Sequence, residues 1–128
     1  QINSINQSNK TTISALHKSK ELALEMYDSL KSNDLTKFSD IMNKSWEAKR
    51  NFTKGVSNKR IEMVSKKAIE KGAKSLKVTG AGGGGHFFVY ADPSKHSSII
   101  KSLKKLGVNS VDFKYQNQGA KIFEINNL

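Results

Sequence analysis

Residues 80–85 read GAGGGG, five glycines in six positions, between two short apolar stretches, "SLKVT" before and "HFFVYA" after. Both flanks are rich in Val, Phe and Tyr, which suits strands. The run therefore predicts a bare connection between two strands. Exchanging glycine for alanine at a tolerant site typically gains about 0.4–1 kcal/mol, mostly by restricting the unfolded chain. Five glycines thus forgo roughly 2–5 kcal/mol in a molecule whose whole stability is about 5–15 kcal/mol. A hairpin needs only one or two of them. The surplus offers main chain without Cβ atoms, whose N–H groups can converge into a nest and approach an anion closely. A flexible hairpin, or a place where another backbone packs tightly, is the rival explanation.

Two familiar phosphate loops do not fit. The stretch from Gly80 to Gly85 satisfies G-x-G-x-x-G letter by letter. The dinucleotide fingerprint, however, places a helix directly after the glycines. A strand pattern follows here, which argues against a nicotinamide or flavin cofactor. No Gly-Lys-Ser/Thr ends the run, so a Walker A loop fails as well.

The rest of the chain is mostly helical in pattern. Ile13, Leu16, Leu22 with Ala23, Met26 with Tyr27, and Leu30 recur at helical spacing. "SND" breaks that pattern, and Asn33 or Asp34 can cap a second helix carrying Leu35, Phe38, Ile41, Met42, Trp46 and Phe52. The two form an antiparallel hairpin. A third helix starts at Ser57 or Asn58, buries Ile61, Val64, Ala68 and Ile69, and stops at Gly72. After the strand pair, Asp92 caps a fourth helix with Pro93 in its first turn. Ile99, Ile100, Leu103 and Leu106 pack from it, and Gly107 ends it. Two further strands are read in "SVDFKY" and "GAKIFEI", the latter carrying Ile122 and Ile125, with "QNQG" as their turn. The expected fold is α+β: an antiparallel sheet, an N-terminal helical hairpin, and helices packed on one face.

Length and composition set the outer bounds. The 128 residues suit one domain, with residues 1–11 as a flexible, Asn/Gln/Ser-rich lead-in and 12–128 as the folded unit. A net charge of +11 attracts anions, nucleic acid and phosphorylated metabolites alike, but no dense basic tract is present. There is no Cys, which excludes disulfides and thiolate chemistry. His17 and His96 lie on predicted helices without a partner at metal spacing, so no metal site is read. No apolar run approaches the ~20 residues of a membrane span, and the first residues lack a signal-peptide pattern. Cytoplasm is the expected compartment.

"LKVTGAGGGGHFFVYA" resembles the third conserved motif of the GHMP kinases (galacto-, homoserine, mevalonate and phosphomevalonate kinases). The likeness runs from about Ile13 to Ile125. It is nearest to the sugar-kinase branch acting on D-glycero-D-manno-heptose 7-phosphate, through Ser45, Trp46, Lys49, Ser57, Asn58, Gly72 and Ala73. The resemblance implies a ferredoxin-like C-terminal domain of an ATP-dependent sugar kinase adding phosphate at the anomeric hydroxyl. It implies ATP and Mg²⁺ for the complete enzyme, with none held tightly here. The second family motif, which wraps ATP phosphates, and the acidic catalytic residue have no match in residues 1–128. The expected partners are therefore the missing N-terminal half and a sugar phosphate, and the fragment alone is expected to be inactive. The face built to meet that half is also expected to self-associate.

Carried over by position, Gly80, Ala81, Gly82, Gly83, Gly84 and Gly85 supply backbone donors and Thr79 a hydroxyl beside them. Lys77 aligns with the family's basic residue before the loop. Strand alternation puts Lys77 and Thr79 on one face and Val78 on the other. His86 departs from the apolar residue usual after the glycines; with Lys49 and Lys77 it is a candidate contact for substrate or phosphate. No catalytic residue and no metal ligand is assigned. The rival class is a basic ferredoxin-like module binding RNA or protein, for which Phe87, Phe88 and Tyr90 would be the aromatic platform, although the paired basic residue and glycine of the RNA signature are absent.

Overall fold

The computed structural model describes residues 10–52 and 54–119. The element order is α1 (Lys10–Lys31), α2 (Leu35–Arg50), α3 (Lys59–Glu70), β1 (Ala73–Val78), β2 (Phe87–Ala91) and α4 (Pro93–Lys104). Among the described residues this is an α+β arrangement of four helices and an antiparallel strand pair. α1 is described from Lys10 onward. Its first turn is tied down by Thr12, whose hydroxyl donates to the Phe52 carbonyl at 2.7 Å.

The helix starts follow from their caps. Asp34 Oδ1 accepts from the Lys37 amide at 2.9 Å, and Asn58 Oδ1 accepts from the Ile61 amide at 3.0 Å. Each satisfies an otherwise orphaned donor of the first turn. Gly72, at φ +101°, supplies the left-handed residue just past the end of α3. Asp92 stands at the N-cap of α4 but makes no side-chain cap bond. Its carboxylate is drawn instead to Lys74 Nζ at 2.7 Å across the strand pair.

The α1 stripe differs from the hydrophobic reading. The side chains turned inward are Thr12, Ala15, Leu22 and Ser29, while Ile13, Tyr27 and Leu30 are exposed. Ser29 remains satisfied through the Met26 carbonyl at 2.7 Å. The hydrophobic reading holds at Leu22, 1% exposed, and at partly buried Leu16, and fails at Ile13, Tyr27 and Leu30. Ile69 of α3 and Ile100 of α4 likewise turn outward.

β1 and β2 pair with Leu76 opposite Val89 and Val78 opposite Phe87, and an irregularity between Ala73 and Ser75 shifts the register. That shift lets Ala73 and Leu76 enter one core. The core joins the sheet to Val64 and Ala68 of α3 and to Ile99 and Leu103 of α4. These two helices share one face of the sheet. α2 takes a different position. The Thr79 amide donates to the His86 carbonyl at 2.9 Å, so the carbonyls of Lys74 and Val78 point away from β2 to the outer edge. α2 lies along that edge: Asn43 Nδ2 donates to Lys74 O at 3.1 Å and Lys49 Nζ to Val78 O at 3.1 Å. Two carbonyls of that edge are thereby taken up within the chain.

A second core gathers Ala15, Trp46, Phe52, Val56, Ile61 and Val78. It joins α1, α2, α3 and the root of the glycine run. Ile61, 2% exposed, sits on the α3 side. Ile61→Ala is expected to cost about 2–5 kcal/mol through lost contacts and a residual cavity. Thermal unfolding should show a fall of roughly 4 °C for each kcal/mol at this size.

Residues 110–115 form no strand. Val111, Phe113 and Tyr115 alternate as expected but are 63%, 63% and 83% exposed. The Phe113 ring lies 6.0 Å from Phe88 of β2 and 5.4 Å from Tyr115. Ring contact is made without a hydrogen-bonded ladder. Alternation becomes a strand only where a partner supplies that ladder, and the partner read from the sequence, with Ile122 and Ile125, lies outside the described residues.

Candidate functional site

The glycine run leaves β1 at Val78 and returns at Phe87, closed at its foot by Thr79 and His86. Both the Thr79 amide and its hydroxyl donate to the His86 carbonyl, at 2.9 and 3.1 Å. Gly80, Gly82, Gly83 and Gly85 have φ of +71°, +99°, +78° and +93°. L side chains rarely adopt that region, so the backbone path itself demands glycine there. Two glycines also meet the rival explanation of close approach. A Cβ on Gly82 would stand 2.9–3.0 Å from Val56, and one on Gly83 would stand 3.1 Å from the Gly55 carbonyl. Gly80, Gly84 and Gly85 face open space.

The loop is fastened from two sides. On one side, the Gly83 amide donates to Val56 O at 2.8 Å, and Asn58 Nδ2 donates to Gly83 O at 2.9 Å. Asn58 therefore caps α3 with its oxygen and holds the loop with its nitrogen. On the other side, Lys49 Nζ donates to the carbonyls of Val78 and Gly80. Gly83 has spent its amide on this anchoring. The amides of Gly80, Gly82, Gly84 and Gly85 have no hydrogen-bond partner among the described residues, and all but half-buried Gly82 are exposed. A fixed loop with open, side-chain-free donors fits phosphate oxygens.

The lysines next to the loop are unlike those elsewhere. Lys49 is 7% exposed, and burial pushes its ammonium below the usual lysine pKa. Lys77, half-buried on β1, donates to Ser45 Oγ at 2.7 Å. Its pKa is lowered first by burial and then by the charge of Lys49. Lys49 thus points inward at loop carbonyls, where sequence reasoning had offered it as a direct phosphate contact. Arg50 pairs with Glu47 and Glu62 at 2.9 and 3.0 Å. His86 and Thr79 are exposed at the foot of the loop. Among the described residues no three His, Asp or Glu side chains are gathered as a metal site, and no helix is long and apolar enough to cross a membrane.

Residues 26–109 match the family model described as GHMP kinases C terminal. The chain belongs to that family. The GHMP kinase domain is 36% identical over 114 residues to D-glycero-alpha-D-manno-heptose 7-phosphate kinase of Campylobacter jejuni subsp. jejuni serotype O:2. That alignment covers 89% of this chain and 34% of the relative, so the chain spans about a third of the curated relative's length. A 2.4 Å crystal structure from Campylobacter jejuni, of a protein assigned as a sugar kinase, superposes with a TM-score of 0.53 at 40% identity. It covers 71% of this chain and 28% of that one.

The GHMP kinase domain brings together Thr79, the glycines, His86, Lys77 and Lys49 around one hairpin. Sequence reasoning missed Val56 as the surface on which the loop rests. It also missed the second role of Asn58 and the receipt of Lys77 by Ser45. The available signal was Gly55, at φ +93°, followed by Val and two polar residues, a turn built to present main-chain groups. Trp46, 6% exposed in the second core, packs beneath the loop's root. Tyr90 packs edge-on against Phe38 at 5.6 Å, so one ring of the rival aromatic platform is engaged within the chain.

Proposed function

We propose that this domain forms the phosphate-cradling side of an ATP-dependent sugar kinase that phosphorylates D-glycero-D-manno-heptose 7-phosphate at its anomeric hydroxyl. The supporting observation is the anchored hairpin, whose open amides of Gly80, Gly82, Gly84 and Gly85 border Lys77 on β1 and Thr79 just past the strand's end. When bound, ATP with Mg²⁺ supplies the transferable phosphoryl group.

The chain's own part is electrostatic. N–H dipoles held before the reaction begins favour the negative charge that develops on the phosphoryl oxygens, without the cost of reorienting at that moment. Lys49 and Asn58 hold the carbonyls of the loop, and so keep its amides aimed outward. Thr79 is committed as a donor to His86 and braces the hairpin's foot. The catalytic base and the main nucleotide contacts come from the part of the enzyme that corresponds to the rest of the relative's length. Use of ATP argues for the cytoplasm.

The test is a coupled assay on the protein extended to the relative's full length. ATP-dependent conversion of the heptose 7-phosphate to its 1,7-bisphosphate is the expected result. The 128 residues alone are expected to turn over no ATP. A full-length protein that binds but never phosphorylates any sugar phosphate would overturn the reading.

A further inference from the structure

Among the described residues the ion pairs are all made by exposed or half-exposed groups: Lys18–Glu21, Arg50–Glu47, Arg50–Glu62, Lys67–Glu70 and Lys74–Asp92. The two most desolvated lysines, Lys49 and Lys77, have no carboxylate within salt-bridge distance among the described residues. They also face each other's charge, since Lys49 acts on Lys77. A buried cation normally has a partner, because leaving water without one is costly. Here the pair lies at the foot of the glycine hairpin, where Lys77 precedes Val78 and Lys49 reaches the carbonyls of Val78 and Gly80.

Ser45 adds an independent observation. It is 4% exposed, one turn before Lys49 on α2, and its oxygen accepts from Lys77 Nζ at 2.7 Å. A hydroxyl that accepts still carries a proton to donate. That proton meets no acceptor among the described residues. Lys77 in turn uses one of its ammonium donors on Ser45. The cluster thus holds spare donors, uncompensated positive charge and no acid.

We infer that Ser45 and Lys77, with Lys49 behind them, seat a phosphate group beside the glycine hairpin. This deepens the kinase reading and rests on it for its role in the enzyme. A phosphate dianion accepts from the Ser45 hydroxyl and the Lys77 ammonium and offsets the charge that neither α2 nor β1 balances. Two substrates carry that chemistry: the nucleotide, and the distal phosphate of the sugar.

The first experiment needs no turnover. Inorganic phosphate is titrated into the 128-residue chain while the Lys77 ε-methylene and Ser45 amide signals are followed by NMR. A saturable shift at both positions is expected in the parent, and the Ser45 shift should need at least tenfold more phosphate in Lys77→Met. The same variant should melt at or above the parent temperature, since it removes an unpaired, half-buried charge. A lysine kept for folding alone would give the reverse pattern, a lower melting temperature with no saturable shift to lose. No saturable shift at Ser45 and Lys77, or one that Lys77→Met leaves intact, overturns the inference.

Steady-state kinetics of the full-length enzyme then separate the sources. A KM for the sugar phosphate raised at least tenfold in Lys77→Met, with the KM for ATP within twofold, assigns the seat to the sugar. The converse assigns it to the nucleotide. Unchanged values for both overturn its role in catalysis. If phosphate titrates the seat but wild-type enzyme phosphorylates no sugar, the kinase reading fails while the anion seat stands.

Discussion

Gly82→Ala is expected to lose about 2–6 kcal/mol of stability and to lower the melting temperature by roughly 8–24 °C. Two costs add. At φ +99° an L residue is strained by about 1–3 kcal/mol. The new Cβ would also stand 2.9 Å from the Val56 side chain and 3.0 Å from its main chain, where overpacking typically costs about 1–3 kcal/mol. Val56 is itself 3% exposed and cannot swing away. Gly84→Ala is the matched control, since its Cβ would meet nothing within 4 Å and its φ lies outside the left-handed region. It should fall within about 1 kcal/mol of the parent. Differential scanning calorimetry of the two variants separates a loop pressed onto the Val56 turn from one that is merely flexible. Equal melting temperatures would mean that the loop does not rest on Val56.

Lys49→Met is expected to damage catalysis far more than binding. The ammonium holds the Val78 and Gly80 carbonyls, and charge-assisted bonds of this kind contribute about 1.5–3 kcal/mol. Methionine keeps the apolar stem and removes the desolvation cost, so the net loss of stability should be smaller, about 1–2 kcal/mol. The loop's root is then no longer pinned, and its amides lose their fixed aim. Losing one well-placed oxyanion donor costs about 10²–10³ in kcat, and a slackened loop should approach the lower figure. In the full-length enzyme kcat is thus expected to fall about 10²-fold, with KM for either substrate changing much less. A lysine that touched substrate directly would raise KM and leave kcat nearly intact.

Local chemistry made much of this fold legible. The caps at Asp34 and Asn58 are three residues from the amides they serve, and the glycine run is bounded by strands whose composition announces them. The family resemblance carried in "LKVTGAGGGG" agrees with the match over residues 26–109. What stayed hidden depends on contacts far apart in the chain. Lys49 reaches carbonyls 29 and 31 residues away, and Asn58 reaches one 25 residues away. Nothing in the local pattern distinguishes an inward lysine from a solvated one at the end of a helix. The α1 stripe was only half legible for another reason: Leu22 is buried as its hydrophobicity suggests, but so are Thr12 and Ser29, which a hydrophobic count ranks last. Residues 110–115 have the alternation of a strand, but alternation says nothing of whether a neighbour offers hydrogen bonds.

The whole functional reading depends on unshared main-chain donors in the hairpin meeting phosphoryl oxygen. Backbone amide NMR of the full-length protein, titrated with ATP and Mg²⁺, observes those donors one by one. The signals of Gly80, Gly82, Gly84 and Gly85 should move strongly downfield, while Gly83, already bonded to Val56, stays in place. Saturation with nucleotide that leaves all four of those signals unmoved would contradict it.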